Sequence, residues 1–249
     1  MNLTFVSLDE FLIPLWTVSL SLLVHLIFSL LFLVLDLFGS NFSCISQYRM
    51  PGEVVTFHRW MNCLGRIFRR YIFGVLPLMM LLHRVRNVSI PYDAPSLARA
   101  LWEVFLCLLM FDTLFFWWHY CMHRFPWLYR QVHRAHHLHR DTFALAAQDL
   151  SISELMSLQL LAILSAWWVN CHPLSEILFH LLNLWLAVED HCGYDFPWAL
   201  HNILPCFGGA PFHQAHHRYS KGNYAPYFKH WDWICGTTTT KTNAHRKER

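Results

Sequence analysis

The fold of this chain is decided by three histidine-rich stretches: W-W-H-Y-C-M-H at 117–123, H-R-A-H-H at 133–137 and H-Q-A-H-H at 213–217. Their eight histidines are His119, His123, His133, His136, His137, His213, His216 and His217. On a helix, residues three and four positions apart lie on one face, with Cβ atoms about 5–6 Å apart. We therefore expect each stretch to direct two or three imidazoles the same way.

Eight imidazole donors exceed the needs of a single zinc ion, which takes four ligands. They suit two transition-metal ions side by side, held by histidines from facing helices. Imidazole binds zinc, copper, nickel or iron, so the spacing alone leaves the metal open. The chain contains 18 histidines, and one H-x-x-H-H stretch could be chance or a surface pair. Two such stretches together with an H-x-x-x-H favour a metal site.

The composition predicts an all-α, polytopic membrane helical bundle rather than a soluble domain. Of the 249 residues, 55% are hydrophobic and 14% are charged, which is typical of membrane proteins. The net charge of +3, without a basic run among aromatics, gives no support for a nucleic-acid partner. None of the eight cysteines forms a Cys-x-x-Cys pair, so we expect neither a thiolate zinc site nor a disulfide framework.

Long apolar runs indicate the membrane helices. A helix needs about 20 apolar residues to cross a bilayer. The run at 11–38 satisfies this length, and His25 within it is expected to be a core or interfacial residue. The run at 71–82 is shorter and contains Pro77, which leaves a short span or a re-entrant segment open. A third helix at 96–118 leads into His119, and the runs at 154–168 and 174–188 predict a helical hairpin.

The charges flanking these runs predict how the chain is oriented. Arginines follow the first apolar run, which favours the cytosolic side for that loop and the lumen for the N-terminus. The histidine stretches then lie on the cytosolic side of the membrane. Of the three Asn-x-Ser/Thr sequences, this topology exposes Asn2 and Asn87 to glycosylation and hides Asn41.

Several acidic and polar residues near the histidines could support the site. Asp112 lies seven residues before His119 on the same helical face, and we expect it to orient a ligand imidazole. A hydrogen bond to another helix is the alternative. Glu189 and Asp190 could accept imidazole N–H groups or be solvated charges at a helix end.

Three further polar residues stand outside this set. His180 and Asn183 interrupt the last apolar run, and either could contact a polar group of a bound lipid or a neighbouring helix. His139 follows the second histidine stretch but falls off the face of His133 and His137, so we expect it at the surface.

The histidine stretches, in this order among apolar segments, resemble the fatty acid hydroxylase superfamily of membrane di-iron oxygenases. The resemblance extends over residues 111–237 and is strongest to the cholesterol 25-hydroxylase branch. It is carried by P-W-L-Y-R at 126–130, F-A-L-A-A-Q at 143–148, C-H-P-L at 171–174, V-E-D-H-C-G-Y at 188–194 and A-P-Y-F-K-H-W-D at 225–232. Relatives often have a further histidine at the position of Phe212, a departure that bears only on details around the ligands.

The resemblance implies two iron ions, O₂ as co-substrate and an external electron donor, either an NADPH-linked reductase or a cytochrome b5-type protein. It also adds His191 as one further metal ligand. The implied reaction is hydroxylation of a sterol side chain, cholesterol to 25-hydroxycholesterol, in the endoplasmic reticulum membrane. Two alternatives stay open. One is a hydroxylase, methyl oxidase or desaturase acting on another sterol or fatty lipid, and the other is a non-catalytic membrane metal-binding or regulatory protein.

These observations divide the chain into three parts. Residues 1–100 are expected to hold N-terminal membrane segments and loops, and residues 101–240 the fatty acid hydroxylase-like catalytic domain. Residues 241–249 form a basic tail that ends H-R-K-E-R and resembles a cytosolic retrieval signal for the endoplasmic reticulum. The C-terminus is therefore expected in the cytosol.

Overall fold

The computed structural model of the chain describes residues 8–85 and 91–239. Within these ranges the chain is helical without a strand, which confirms the all-α class. Asn2, Asn87 and the basic tail lie outside the described residues. The helices are α1 (Leu8–Phe38), α2 (Ser43–Ser46), α3 (Phe57–Arg70), α4 (Leu76–Val85), α5 (Leu97–Arg124), α6 (Pro126–Leu128), α7 (Ile152–Val169), α8 (Pro173–Asp190), α9 (Leu200–Ile203), α10 (Gly209–Tyr219) and α11 (His230–Ile234).

Among the described residues, three helices are long and apolar enough to cross a membrane. The qualifying segments are Leu12–Asn41, Leu97–Arg124 and Ile152–Val169. They correspond to the first, third and fourth apolar runs of the sequence. The fifth run lies in α8, which is helical as expected but carries charged residues at both of its ends.

The second apolar run continues α3 instead of breaking at its proline. A π-helical turn, Tyr71–Val75, joins α3 to α4, and Pro77 is the second residue of α4. Proline has no N–H to donate, and the wider π-helical turn just before it lets the helix continue past it. The result is a continuous helical segment that runs from the arginine-rich α3 into the apolar α4.

Hydroxyl caps define where the main helices begin. Thr56 accepts a hydrogen bond from the Arg59 amide at 3.2 Å before α3, and Ser96 accepts one from the Arg99 amide at 3.3 Å before α5. Ser151 does the same for the Glu154 amide at 3.1 Å. Each cap satisfies an amide that the first turn leaves without a partner. The Ser151 cap fixes the start of α7 next to the second histidine stretch.

Helix α5 lies at the centre of the bundle and packs against both α7 and α8. The two arms of the predicted hairpin thus meet on a common helix. Helix α1 packs against α8, where the rings of Phe28 and Phe32 lie 5.2 and 6.1 Å from Trp185. Two hydrophobic cores contain residues from both sides of position 100. The proposed domain boundary at that position therefore stays a prediction from the sequence.

Candidate metal centre

Nine histidines form two adjacent clusters at one end of the bundle. In each cluster, one ring nitrogen from every histidine lies within 4.8 Å of all the others. All eight histidines of the three stretches take part, together with His191 at the C-terminal end of α8. The five-histidine cluster consists of His119, His123, His133, His137 and His216, and the four-histidine cluster consists of His136, His191, His213 and His217.

Each of the last two histidine stretches contributes to both clusters. The expectation that each stretch directs two or three imidazoles the same way holds for two in each: His133 with His137, and His213 with His217. The second stretch is not an α-helix: its backbone is π-helical over Tyr129–His133 and 3₁₀-helical over His136–Leu138. His136 belongs to the other cluster from His133 and His137. In α10, His216 faces the five-histidine cluster while His213 and His217, four residues apart, face the other.

The hydrogen bonds of the outer ring nitrogens fix which nitrogen carries the proton. His119 Nδ1 donates to the Tyr224 carbonyl and His216 Nδ1 donates to the Gly222 carbonyl, each at 2.7 Å. His133 Nδ1 donates to Glu154 Oε1 at 2.6 Å, and His191 Nδ1 donates to the Ala187 carbonyl at 2.7 Å. In a neutral imidazole the other nitrogen then presents a bare lone pair. The Nε2 atoms of His119, His191 and His216 are therefore acceptors without a hydrogen, and ionised Glu154 gives His133 the same state.

These bare nitrogens nevertheless face one another at short range. His119 Nε2 lies 2.9 Å from His133 Nε2, and both rings carry their protons on Nδ1 when Glu154 is ionised. No hydrogen is available between them, and two facing lone pairs repel. A cation between the nitrogens removes this conflict. The sequence prediction of a metal site thus has a specific physical basis in the structure.

The spacing of the nitrogens also fits metal coordination. A transition metal holds imidazole nitrogen at about 2.1 Å, which puts neighbouring ligand nitrogens about 3.0–3.4 Å apart. In the five-histidine cluster, His137 Nε2 lies 3.0 Å from His133 Nε2 and 3.1 Å from His216 Nε2. In the four-histidine cluster, His191 Nε2 lies 3.0 Å from His213 Nε2 and 3.4 Å from His136 Nε2.

Burial keeps the histidines of this centre neutral. It lowers the pKa of His137 and of His191 to about 4. For His136, His213 and His217, burial and the neighbouring imidazoles hold the pKa well below the ordinary value of a histidine. A protonated imidazole cannot bind a metal, so the site is composed of ready donors at neutral pH.

Comparison with known proteins identifies the family of this chain. The fatty acid hydroxylase family model matches residues 104–237. The chain belongs to the fatty acid hydroxylase family. A cholesterol 25-hydroxylase-like protein of Danio rerio is 41% identical over 227 residues, which cover 90% of this chain and 90% of that protein.

Two other members of the family show the range of named relatives. Cholesterol 25-hydroxylase of Homo sapiens is 39% identical over 231 residues, covering 91% of this chain and 85% of that protein. A methylsterol monooxygenase of Aspergillus fumigatus is 36% identical over 202 residues, covering 75% of this chain and 66% of that protein. No solved structure matches the chain.

Glu154 is a supporting residue that the sequence analysis missed. It is 1% exposed in the first turn of α7, and its carboxylate accepts the Nδ1–H of His133. A carboxylate behind a metal-binding imidazole fixes the ring and raises its basicity. The available signal was Ser151-Ile-Ser-Glu154, a capping sequence that places an acidic residue at the start of an apolar helix.

Asp112 has a different role from the one expected. Its Oδ1 accepts the backbone amides of Tyr227 and Phe228 at 3.0 and 2.9 Å, so it anchors the segment after α10 to α5. Its other oxygen lies 3.9 Å from His230 Nδ1, a histidine outside both clusters. The reason is geometric: at seven residues before His119, the carboxylate lies about 10 Å along the helix axis from it.

The polar residues in and next to α8 contact partners other than those that the sequence predicted for a supporting role. His191 donates to the Ala187 carbonyl, so this bond goes to the backbone of its own helix instead of to Glu189 or Asp190. Asn183 Oδ1 accepts the Tyr227 hydroxyl at 2.8 Å, which is the alternative of a bond to a neighbouring segment. His180 lies 3.7 Å from Glu176 on its own helix, and lipid contact stays a prediction for it.

His139 is buried rather than at the surface. It is 7% exposed, and its Nε2 lies 2.7 Å from Asp149 Oδ2. With Cys63 these residues form a third group of potential ligands within 4.8 Å. Two cations already neutralise this group, because Arg66 and Arg70 both bind the Asp149 carboxylate. The Cys63–His139–Asp149 group is therefore a neutralised ion-pair network.

Proposed function

We propose that the chain is a di-iron, O₂-dependent membrane monooxygenase that hydroxylates a sterol side chain, converting cholesterol to 25-hydroxycholesterol. The observation that carries the proposal is the pair of histidine clusters whose Nε2 lone pairs converge in a fatty acid hydroxylase family member. The substrate is supported by cholesterol 25-hydroxylase relatives that are about 40% identical over nine-tenths of the chain.

The five-histidine and four-histidine clusters would hold one iron ion each. Iron supplies the O₂-dependent redox chemistry that an unactivated C–H bond requires and that zinc lacks. In the reaction one oxygen atom enters the C–H bond and the other leaves as water. Two electrons and two protons complete this balance. The electrons come from a separate NADPH-linked reductase or a cytochrome b5-type donor.

The residues of the chain orient the donors and keep water away. Backbone carbonyls of Tyr224 and Gly222 and the Glu154 carboxylate hold three imidazoles by their outer nitrogens. The ring of Phe115 lies 5.2 Å from that of His119 and provides an apolar neighbour on the membrane side of the site. A hydrocarbon side chain of a lipid suits such surroundings better than a charged substrate.

The proposed location follows from the apolar helices and the charge pattern. The chain is a membrane protein of the endoplasmic reticulum with a cytosolic C-terminus, and its histidine clusters face the cytosolic electron donor. His119 and His123 occupy the last two turns of α5, where a candidate membrane segment ends. This position lets a substrate approach from the bilayer and electrons from the water phase.

The test is a sterol profile of cells that express the chain and receive isotope-labelled cholesterol. We expect labelled 25-hydroxycholesterol from the native protein and from His58→Ala, a change at an exposed histidine outside the clusters. We expect none from His136→Ala. A different oxidised sterol as the main product would contradict the proposed substrate position. Equal product from His136→Ala would contradict the role of the metal centre.

The second candidate is oxidation of a methyl group on a sterol ring. Methylsterol monooxygenases of Aspergillus fumigatus and Arabidopsis thaliana are 36% and 32% identical to this chain. Their identities are lower and their alignments are shorter than those of the cholesterol 25-hydroxylases, which places this candidate second. Labelled methylsterols in the same cells separate the two: conversion of these sterols, with cholesterol unchanged, would favour methyl oxidation.

A further inference from the structure

A cavity of about 250 Å³ lies between the end of α3 and the start of α7. Its lining consists of Arg66, Arg69, Arg70, Phe73 and Ile152. The three arginines come from the last turns of α3, and Phe73 comes from the π-helical turn that follows. Ile152 is the first residue of α7. The cavity thus combines three guanidinium groups with two apolar side chains.

The charges of this cavity favour an anion. Asp149 contacts Arg66 at 2.5 Å and also contacts Arg70, and Arg70 acts electrostatically on the buried Glu154 as well. Asp149 is buried behind these arginines, with its side chain 3% exposed. Three guanidinium groups against these two acidic side chains leave an excess of positive charge, and Arg69 presents its charge to the exposed side.

The apolar part of the cavity indicates that the anion is attached to a lipid. Phe73 is 71% exposed and Ile152 is 41% exposed, which is costly in water and favourable in hydrocarbon. Both residues stand at the start of apolar segments: Phe73 leads into α4, and Ile152 begins a candidate membrane helix. The arginines therefore lie where the hydrocarbon region ends, at the level of lipid headgroups.

We propose that this cavity binds the phosphate of an anionic phospholipid, with an acyl chain along Phe73 and Ile152. Guanidinium groups bind phosphate by paired, charge-assisted hydrogen bonds, which suits arginine better than lysine at such a site. A free phosphate would satisfy the arginines and leave the two apolar side chains without a partner. This site goes beyond the proposed function and does not depend on the identity of the substrate.

The test measures lipid binding to the purified full-length protein in detergent, by native mass spectrometry during titration with phosphatidylglycerol or phosphatidylcholine. We expect the native chain to retain phosphatidylglycerol in preference to phosphatidylcholine. Arg69→Gln should weaken phosphatidylglycerol binding about five-fold, the usual contribution of one basic residue near an anionic surface. Arg140→Gln removes the same charge at an exposed position outside the cavity and should change nothing.

Three results would overturn the proposal. The first is equal retention of both lipids by the native chain, and the second is unchanged phosphatidylglycerol binding in Arg69→Gln. The third is displacement of the lipid by millimolar inorganic phosphate or by an acidic peptide, which would assign the cavity to a soluble anion or a protein partner. Because the readout is lipid retention rather than turnover, its failure is distinct from failure of the proposed hydroxylase activity.

Discussion

Two buried groups of potential metal ligands lie close to each other in this protein, and they differ in what balances their charge. The histidine clusters and the Cys63–His139–Asp149 group both bring ligand atoms within 4.8 Å. In the clusters, bare Nε2 atoms face each other at about 3 Å with no cation among the described residues to separate them. In the other group, Arg66 and Arg70 already bind the carboxylate.

The protonation states reinforce this difference. Burial lowers the pKa of the cluster histidines, which favours the neutral form that binds a metal. Burial and the nearby Asp149 charge raise the pKa of the Cys63 thiol, which disfavours the thiolate that a metal needs. Proximity of ligand atoms is therefore insufficient to identify a metal site. The positions of the hydrogens and counter-charges decide it.

The largest expected effect is that of removing a ligand. We expect His133→Ala to lose the metal of the five-histidine cluster and to reduce sterol oxidation at least 100-fold, because His133 Nε2 contacts two other ligand nitrogens. Metal analysis of the purified variant and the sterol assay measure both effects. His58→Ala is the matched control. Full metal content in His133→Ala would contradict the proposal that the histidine clusters, and not the Cys63–His139–Asp149 group, bind the metal.

A smaller effect is expected at the carboxylate behind the ligand. Glu154→Ala removes the acceptor that fixes the His133 ring, and such changes cost about 10- to 100-fold in metal affinity or activity. The rate of metal loss to a chelator measures this. Glu154→Gln keeps an acceptor oxygen and should recover part of the affinity. If both variants lose metal at the native rate, Glu154 has no part in holding the ligand.

Much of this site was predictable from the sequence, and the remainder depends on how segments distant in the sequence pack together. The spacing of the histidines identified eight members of the clusters, and the family resemblance added His191. The division into two clusters was not predictable from the spacing within a stretch, because it depends on which histidines of separate stretches pack together. The membrane helices followed from apolar length, whereas Glu154 and His139 acquire their roles only through contacts between segments distant in the sequence.

Asp149→Asn should affect stability rather than metal content. Removing the charge leaves two buried or half-buried arginines without their partner, at a cost of about 3 kcal/mol in unfolding free energy. We expect a lower melting temperature and an unchanged amount of metal per folded chain. Loss of metal in the folded fraction of this variant would instead show that the Cys63–His139–Asp149 group participates in metal binding.

The same carboxylate predicts a pH dependence. Burial alone would raise the pKa of Asp149, but His139, Arg66 and Arg70 outweigh it and hold the pKa below its ordinary value. Because its native pKa is depressed, the Asp149 carboxylate stabilises the native state above the pKa that it has in the unfolded chain, about 4. This contribution is lost on further acidification. The stability difference between the native chain and Asp149→Asn should therefore be constant near neutral pH and shrink below about pH 4. A difference that grew on acidification would contradict this sign.

The smallest effect is expected for Cys63→Ser. The buried Cys63 side chain is a thiol in this account, so serine should lower stability modestly, by about 1 kcal/mol, and leave bound metal unchanged. Thermal unfolding and metal analysis of the same preparation test both statements.

The proposed di-iron centre is tested most directly by the number of iron ions bound per folded native chain. Elemental analysis of protein purified after iron-replete expression measures this number. We expect two ions per chain, with the same count in Cys63→Ser and fewer in His133→Ala. A count of three that falls to two in Cys63→Ser would place a metal in the Cys63–His139–Asp149 group. A count of one, or none with zinc bound instead, would contradict a di-iron centre.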